Sequence, residues 1–150
     1  MKLATALSER ADLQRRISEL ASRLNNNAKV QEGEKPAEDP EGLLTELDGC
    51  FSRLEELVAR INRTNNETKI GSLTITDLIA KRDCLKERIR IMRDFLNASS
   101  EKVNRYSKAE IKILSTVSVS ELQKTVDGYS KQLRETDETI QGLNWTTELI

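Results

Sequence analysis

Asp39–Asn62 reads DPEGLLTELDGCFSRLEELVARIN, and this stretch decides the fold. Leu44, Leu47, Phe51, Leu54, Val58 and Ile61 recur at alternating steps of three and four. That stagger draws one apolar stripe along an α-helix and calls for a helical partner. The start is marked three ways: an acid at the N-cap, Asp39; proline at the first helical position, Pro40; and a second acid, Glu41, favoured by the helix dipole. Leu43 and Leu57 widen the stripe, and the polar run Asn62–Lys69 closes it. The spacing predicts a helix over 40–63.

The same stagger recurs three more times. A helix over 2–25 carries Leu3, Ala6, Leu13, Ile17, Leu20 and Leu24, interrupted at Arg10. Asn25, Asn26 and Asn27 are expected to end it, since asparagine tolerates the left-handed cap conformation. A helix over 75–103 opens on a Thr74/Asp77 capping box. Its stripe is Ile75, Leu78, Arg82, Leu85, Ile89, Met92 and Leu96. A helix over 119–142 opens on Ser118/Glu121 and carries Leu122, Val126, Tyr129, Leu133, Thr136, Ile140 and Leu143. Helices of this length span roughly 30–42 Å.

The fold expected is all-α and a single domain over 1–150. It has four long antiparallel helices, as a bundle or as paired helical hairpins that find further partners in another subunit. Ile111, Ile113, Val117 and Val119 alternate at period two. A small β-ribbon at one end is therefore expected, pairing a strand near 29–31 with one near 111–117.

Composition excludes several chemistries. The 150 residues hold no histidine, which removes histidine triads and histidine-ligated metals. The net charge of -1 gives no global pull toward nucleic acid or anionic lipid. No apolar run approaches the about 20 residues that a spanning helix needs. No secretory signal is visible at the N-terminus, so a soluble, cytoplasmic chain is expected, with Cys50 and Cys84 as reduced, buried thiols. Neither nucleic acid nor a membrane is an expected partner.

The candidate sites are few. Lys81, Arg82, Lys86, Arg88, Arg90 and Arg93 make a basic stretch, read here as complementing acids of the second helix such as Glu46, Asp48, Glu55 and Glu56. The acidic connection Glu32, Glu34, Glu38, Asp39 and Glu41 lacks the spacing of a calcium loop, so no metal and no cofactor is expected. Arg10 and Arg82 stand where aliphatic residues belong. A polar layer is expected, with Asp137 as their partner and Glu55 as second choice. Lys29, Glu32, Arg105 and Tyr106 form the best candidate for a small-ligand or partner site. No nucleophile–base pair accompanies any of these groups, so an enzyme is not the expected reading. Leu7, Leu43, Leu57, Ile79, Ile91 and Phe95 lie off the stripes, and Trp145 stands alone near the end. Apolar surface beyond one seam points to association, and these seven are the expected homo-oligomer interface.

AKVQEGEKPAEDP (28–40), INRTN (61–65), RYSKAEIK (105–112) and NWTTEL (144–149) together resemble a family of small bacterial helical proteins. Some members of that family carry the label septicolysin. The resemblance spans nearly the whole chain and implies a bacterial helical protein with no catalytic residues to carry over. The label implies a membrane-active alternative. A small-ligand protein or enzyme built on the loop end is the other alternative to a self-associating structural or interaction protein.

Overall fold

The structure, a computed structural model, describes residues 1–100 and 111–150. Four long helices dominate: α1 (Leu3–Asn26), α2 (Pro40–Glu67), α3 (Ile75–Ser100) and α4 (Val119–Thr146). Two short strands, β1 (Lys69–Ile70) and β2 (Leu73–Thr74), lie between α2 and α3. The fold is all-α with a small β-ribbon. The chain divides into two compact units, 1–74 with 143–150, and 75–142.

In the first unit α1 and α2 form an antiparallel hairpin. Leu20, Leu43 and Cys50 are its buried cluster, with Leu13, Ile17, Leu24 and Leu47 packed against them. Three ion pairs tie the hairpin and its loop from outside: Arg53 with Glu9 at 2.6 Å, Arg16 with Glu46 at 2.5 Å, and Arg23 with Glu38 at 2.5 Å. The Arg53 guanidinium holds the Glu9 carboxyl below its ordinary range, chiefly by donating hydrogen bonds to it.

The buried face of α2 is not the one its stagger suggests. Leu43, Cys50, Leu57, Ile61 and Thr64 are buried, whereas Leu44 and Phe51 are each half exposed. The helix carries two apolar rows. Leu47, Leu54 and Ile61 belong to both, so periodicity alone does not choose between them. The row with the smaller Cys50 and Thr64 turns inward.

Two local expectations hold at the α2 start: Asp39 accepts from the amides of Glu41 and Gly42, both at 3.2 Å, and Pro40 follows it. The end of α1 differs from expectation. Asn27 keeps a negative φ of -109° and caps through its side chain. Its Nδ2 donates to the Arg23 carbonyl at 2.8 Å, and its Oδ1 accepts from the Glu38 amide at 3.0 Å. That clip closes the connection back on the helix, which turns at Gly33 (φ 85°) where the Glu34 amide reaches the Gln31 carbonyl at 3.0 Å.

The ribbon is displaced from its expected place. Residues 29–31 and 111–117 form no strand; Lys69 pairs with Thr74 and Ile70 with Leu73 instead. Gly71 has φ 61° and Ser72 does not share that sign, the pattern of a two-residue hairpin turn with glycine first. A pairing across two residues avoids the loop-closure entropy of joining segments about 80 residues apart.

The two ends of the chain meet in the first unit. Leu3 donates its amide to the Thr147 carbonyl at 2.9 Å, and the Leu149 amide donates to the Met1 carbonyl at 2.8 Å. Lys2 and Glu148 form the antiparallel bridge between them. Lys2 also pairs with the Glu148 carboxylate at 2.7 Å and the Met1 amine does so at 3.1 Å, holding that carboxyl below its usual range.

In the second unit the buried residues of α3 and α4 come from the expected stripes, whose other members are half-buried. Ile75, Leu78, Leu85, Ile89 and Leu96 are buried on α3, and Val126, Thr136 and Ile140 on α4. The Ser118 hydroxyl accepts from the Glu121 amide at 3.5 Å, one half of the expected capping box. Both α2 and α4 run about one turn beyond their expected ends, to Glu67 and Thr146.

Candidate functional site

Arg82 pairs with its neighbour Asp83 at 2.9 Å rather than with Asp137, because an adjacent carboxylate reaches it at the surface. Arg10 is half-buried, and its Nε is enclosed with no hydrogen-bond partner among the described residues. Glu55, the second choice as partner, is exposed and forms no ion pair among the described residues. Lys29 and Glu32 are both exposed on the α1–α2 connection, while Arg105 and Tyr106 lie outside the described residues.

The expected interface divides in two. Leu43 and Leu57 are core residues, 4% and 0% exposed, because the inward row of α2 contains them. Leu7 and Ile79 are half-buried. Ile91, Phe95 and Trp145 are open, at 54%, 47% and 68% exposure. Cys50 is buried and free, whereas Cys84, expected to be buried, is exposed and free.

An open row on α2 is the feature missed by sequence reasoning. Leu44, Asp48, Phe51, Glu55, Val58 and Asn62 follow one another at steps of four and three along the helix, on an arc adjoining the buried face. Leu44 and Phe51 are half exposed, and Phe51, Leu54, Glu55, Val58, Ala59 and Asn62 line a shallow groove. Asp48 and Glu55 take no ion pair among the described residues, while Glu46 and Glu56 are committed to Arg16 and to Arg53 and Arg60. The signal was present in the sequence: two leucines side by side, Leu43 and Leu44, begin two rows rather than one wide stripe.

A second groove lies in the other unit, between α3 and α4. Ile89 and Leu133 form its floor, and Lys86, Arg93, Arg134, Ser130 and Asp137 its rim. Arg93 donates to the Ser130 hydroxyl at 3.3 Å, and the Arg88 guanidinium sits 4.9 Å from the Tyr129 ring centre. Arg90 is held by Glu87 at 2.6 Å and Asp94 at 3.3 Å, and it keeps the Glu87 carboxyl below its ordinary range. Lys86, Arg93 and Arg134 have no carboxylate partner among the described residues. Three cations that no carboxylate among the described residues pairs with, beside one acid and over an apolar floor, can hold an acidic amphipathic surface. Among the described residues no group of three or more histidine, cysteine or acidic side chains is placed to hold a metal.

Residues 10–149 match the model of a family described as a family of unknown function, DUF6847. The chain belongs to this family. The DUF6847 chain is also similar to a solved structure described as a functionally unknown conserved protein from Corynebacterium diphtheriae. The two share 42% identity over 100% of this chain and 99% of the other, with a TM-score of 0.92. No curated protein matches the DUF6847 chain. Among its described residues no helix is long and apolar enough to cross a membrane.

Proposed function

We propose that this chain is a self-associating structural or interaction protein, and that the open row of α2 is the surface through which it associates with a second copy. The observation that carries this is the half exposure of Leu44 and Phe51, one heptad apart, with Val58 a further heptad on. Heptad-spaced apolar residues that the chain leaves uncovered are the pattern of an interhelical seam. Covering the exposed half of a leucine and a phenylalanine stabilises by roughly 1 kcal/mol each, from the area of apolar surface removed from water. Among the described residues the acids beside them, Asp48 and Glu55, take no ion pair, and neither do Lys86, Arg93 and Arg134 of the α3–α4 groove. That complementarity favours another copy over an unrelated partner. Two free thiols suit a reducing compartment, and the proposal is of a cytoplasmic protein.

Size measurement over a concentration series tests this reading. Phe51→Glu, which puts a charge into the seam at a half-exposed position, is expected to shift the chain toward monomer with unchanged helicity. Unchanged association in Phe51→Glu would move the interface elsewhere. Release of dye from liposomes by the wild-type chain would replace the reading with the membrane-active one that a septicolysin label implies.

A further inference from the structure

We infer that the open row of α2 in one copy docks into the α3–α4 groove of a second copy. This rests on the self-association reading and names its two faces. On α2 an acid, an aromatic and an acid stand at i, i+3 and i+7: Asp48, Phe51 and Glu55. On α3 a base, an aliphatic and a base stand at the same spacing: Lys86, Ile89 and Arg93. Seven residues span about 10 Å of helix, so the two charge pairs have equal pitch and bracket one apolar contact. Phe51 is exposed, and the floor of Ile89 and Leu133 accepts it. Arg134 on the far rim adds a third cation toward the acids.

The faces differ, so one copy offers its α2 row and the other its groove. A two-fold arrangement makes this contact twice and closes the assembly; without closure the copies add head to tail. Groups on both walls of the groove enter the balance: Lys86, Arg93 and Arg134 attract the acids, and Asp137 opposes them. The sum favours the acidic row.

Charge exchange tests the pairing. The full-length double variants Asp48→Lys/Glu55→Lys and Lys86→Glu/Arg93→Glu each place like charges on both faces. Each alone is expected to associate about tenfold more weakly than wild type, the scale set by two partly exposed ion pairs lost in every contact. Mixed together they restore opposite charges at both contacts, and recovery of wild-type association in the mixture is the expected result. Wild-type association is also expected to weaken as salt rises. Circular dichroism of each variant establishes that the helices persist. Association that survives both double variants while Phe51→Glu abolishes it would overturn the groove as the docking site and leave α2 as an interface. Weakening by both variants with no recovery on mixing would overturn the pairing as well. A wild-type chain that is monomeric throughout would overturn this inference together with the reading beneath it.

Discussion

Ile150 donates its amide to the hydroxyl of Thr64 at 3.0 Å, and Arg60, one turn earlier on α2, donates its Nε to the Ile150 carbonyl at 3.0 Å. Thr64 is fully buried and also donates to the Arg60 carbonyl at 2.9 Å. One turn of helix thus grips both polar groups of a residue 86 positions away in sequence. Thr64→Val keeps the volume and removes the acceptor, leaving a partly buried amide unpaired. The expected cost is about 1–2 kcal/mol, read by urea unfolding. Faster hydrogen exchange at the Ile150 amide is the accompanying sign.

Leu57→Ala and Phe51→Ala separate the two rows of α2. Leu57 is fully buried, so its truncation is expected to cost about 2–5 kcal/mol of stability. Phe51 is half exposed and its truncation is expected to cost well below that, while weakening association. Equal costs for the two variants would put the helix register in error. Thermal unfolding at low concentration reads the first effect and sedimentation the second.

Acid is expected to loosen the first unit. Glu9, Glu38 and Glu148 are held below the ordinary value of 4.5 by hydrogen bonds from Arg53, Arg23 and Lys2 respectively. A carboxyl lowered in the folded state binds fewer protons there than in the unfolded chain. Its contribution is complete above the ordinary value and is lost as pH falls through the lowered one. The melting temperature is therefore expected to fall as pH drops below 4.5. Glu38→Gln removes one such group and is expected to make the fall shallower. A melting temperature that rises on acidification would contradict the assignment.

The two thiols are expected to react at different rates. Cys84 is exposed and Cys50 is buried against Leu20 and Leu43. A thiol reagent is expected to modify one cysteine quickly in the native chain and both after denaturation. Cys84→Ser is expected to remove the fast phase alone.

Most of the architecture was legible in the chain because α1, α3 and α4 each carry one dominant row. Ile75, Leu78, Leu85, Ile89 and Leu96 of α3 and Val126, Thr136 and Ile140 of α4, all in the named rows, are buried, the other members of those rows are half-buried, and Asp39 and Pro40 mark the start of α2 as read. The second helix was misread because Leu43 and Leu44 open two rows with shared members, and the choice between them is made by packing. The ribbon was misplaced for a related reason. Period-two spacing at Ile111 and Ile113 is a weak signal, and those residues are 80% and 67% exposed. The turn that does form needs only Gly71 between two short strands. Arg82 takes Asp83, beside it in sequence, in place of Asp137. The grip of Thr64 and Arg60 on Ile150 joins residues so far apart that no local pattern announces it.

The central claim is that the chain associates with itself through the row containing Leu44 and Phe51. Sedimentation velocity of the wild-type chain over a wide concentration range tests it most directly. The account predicts a reversible shift from monomer to a larger species as concentration rises, abolished in Phe51→Glu. A single monomeric species at every concentration would contradict it.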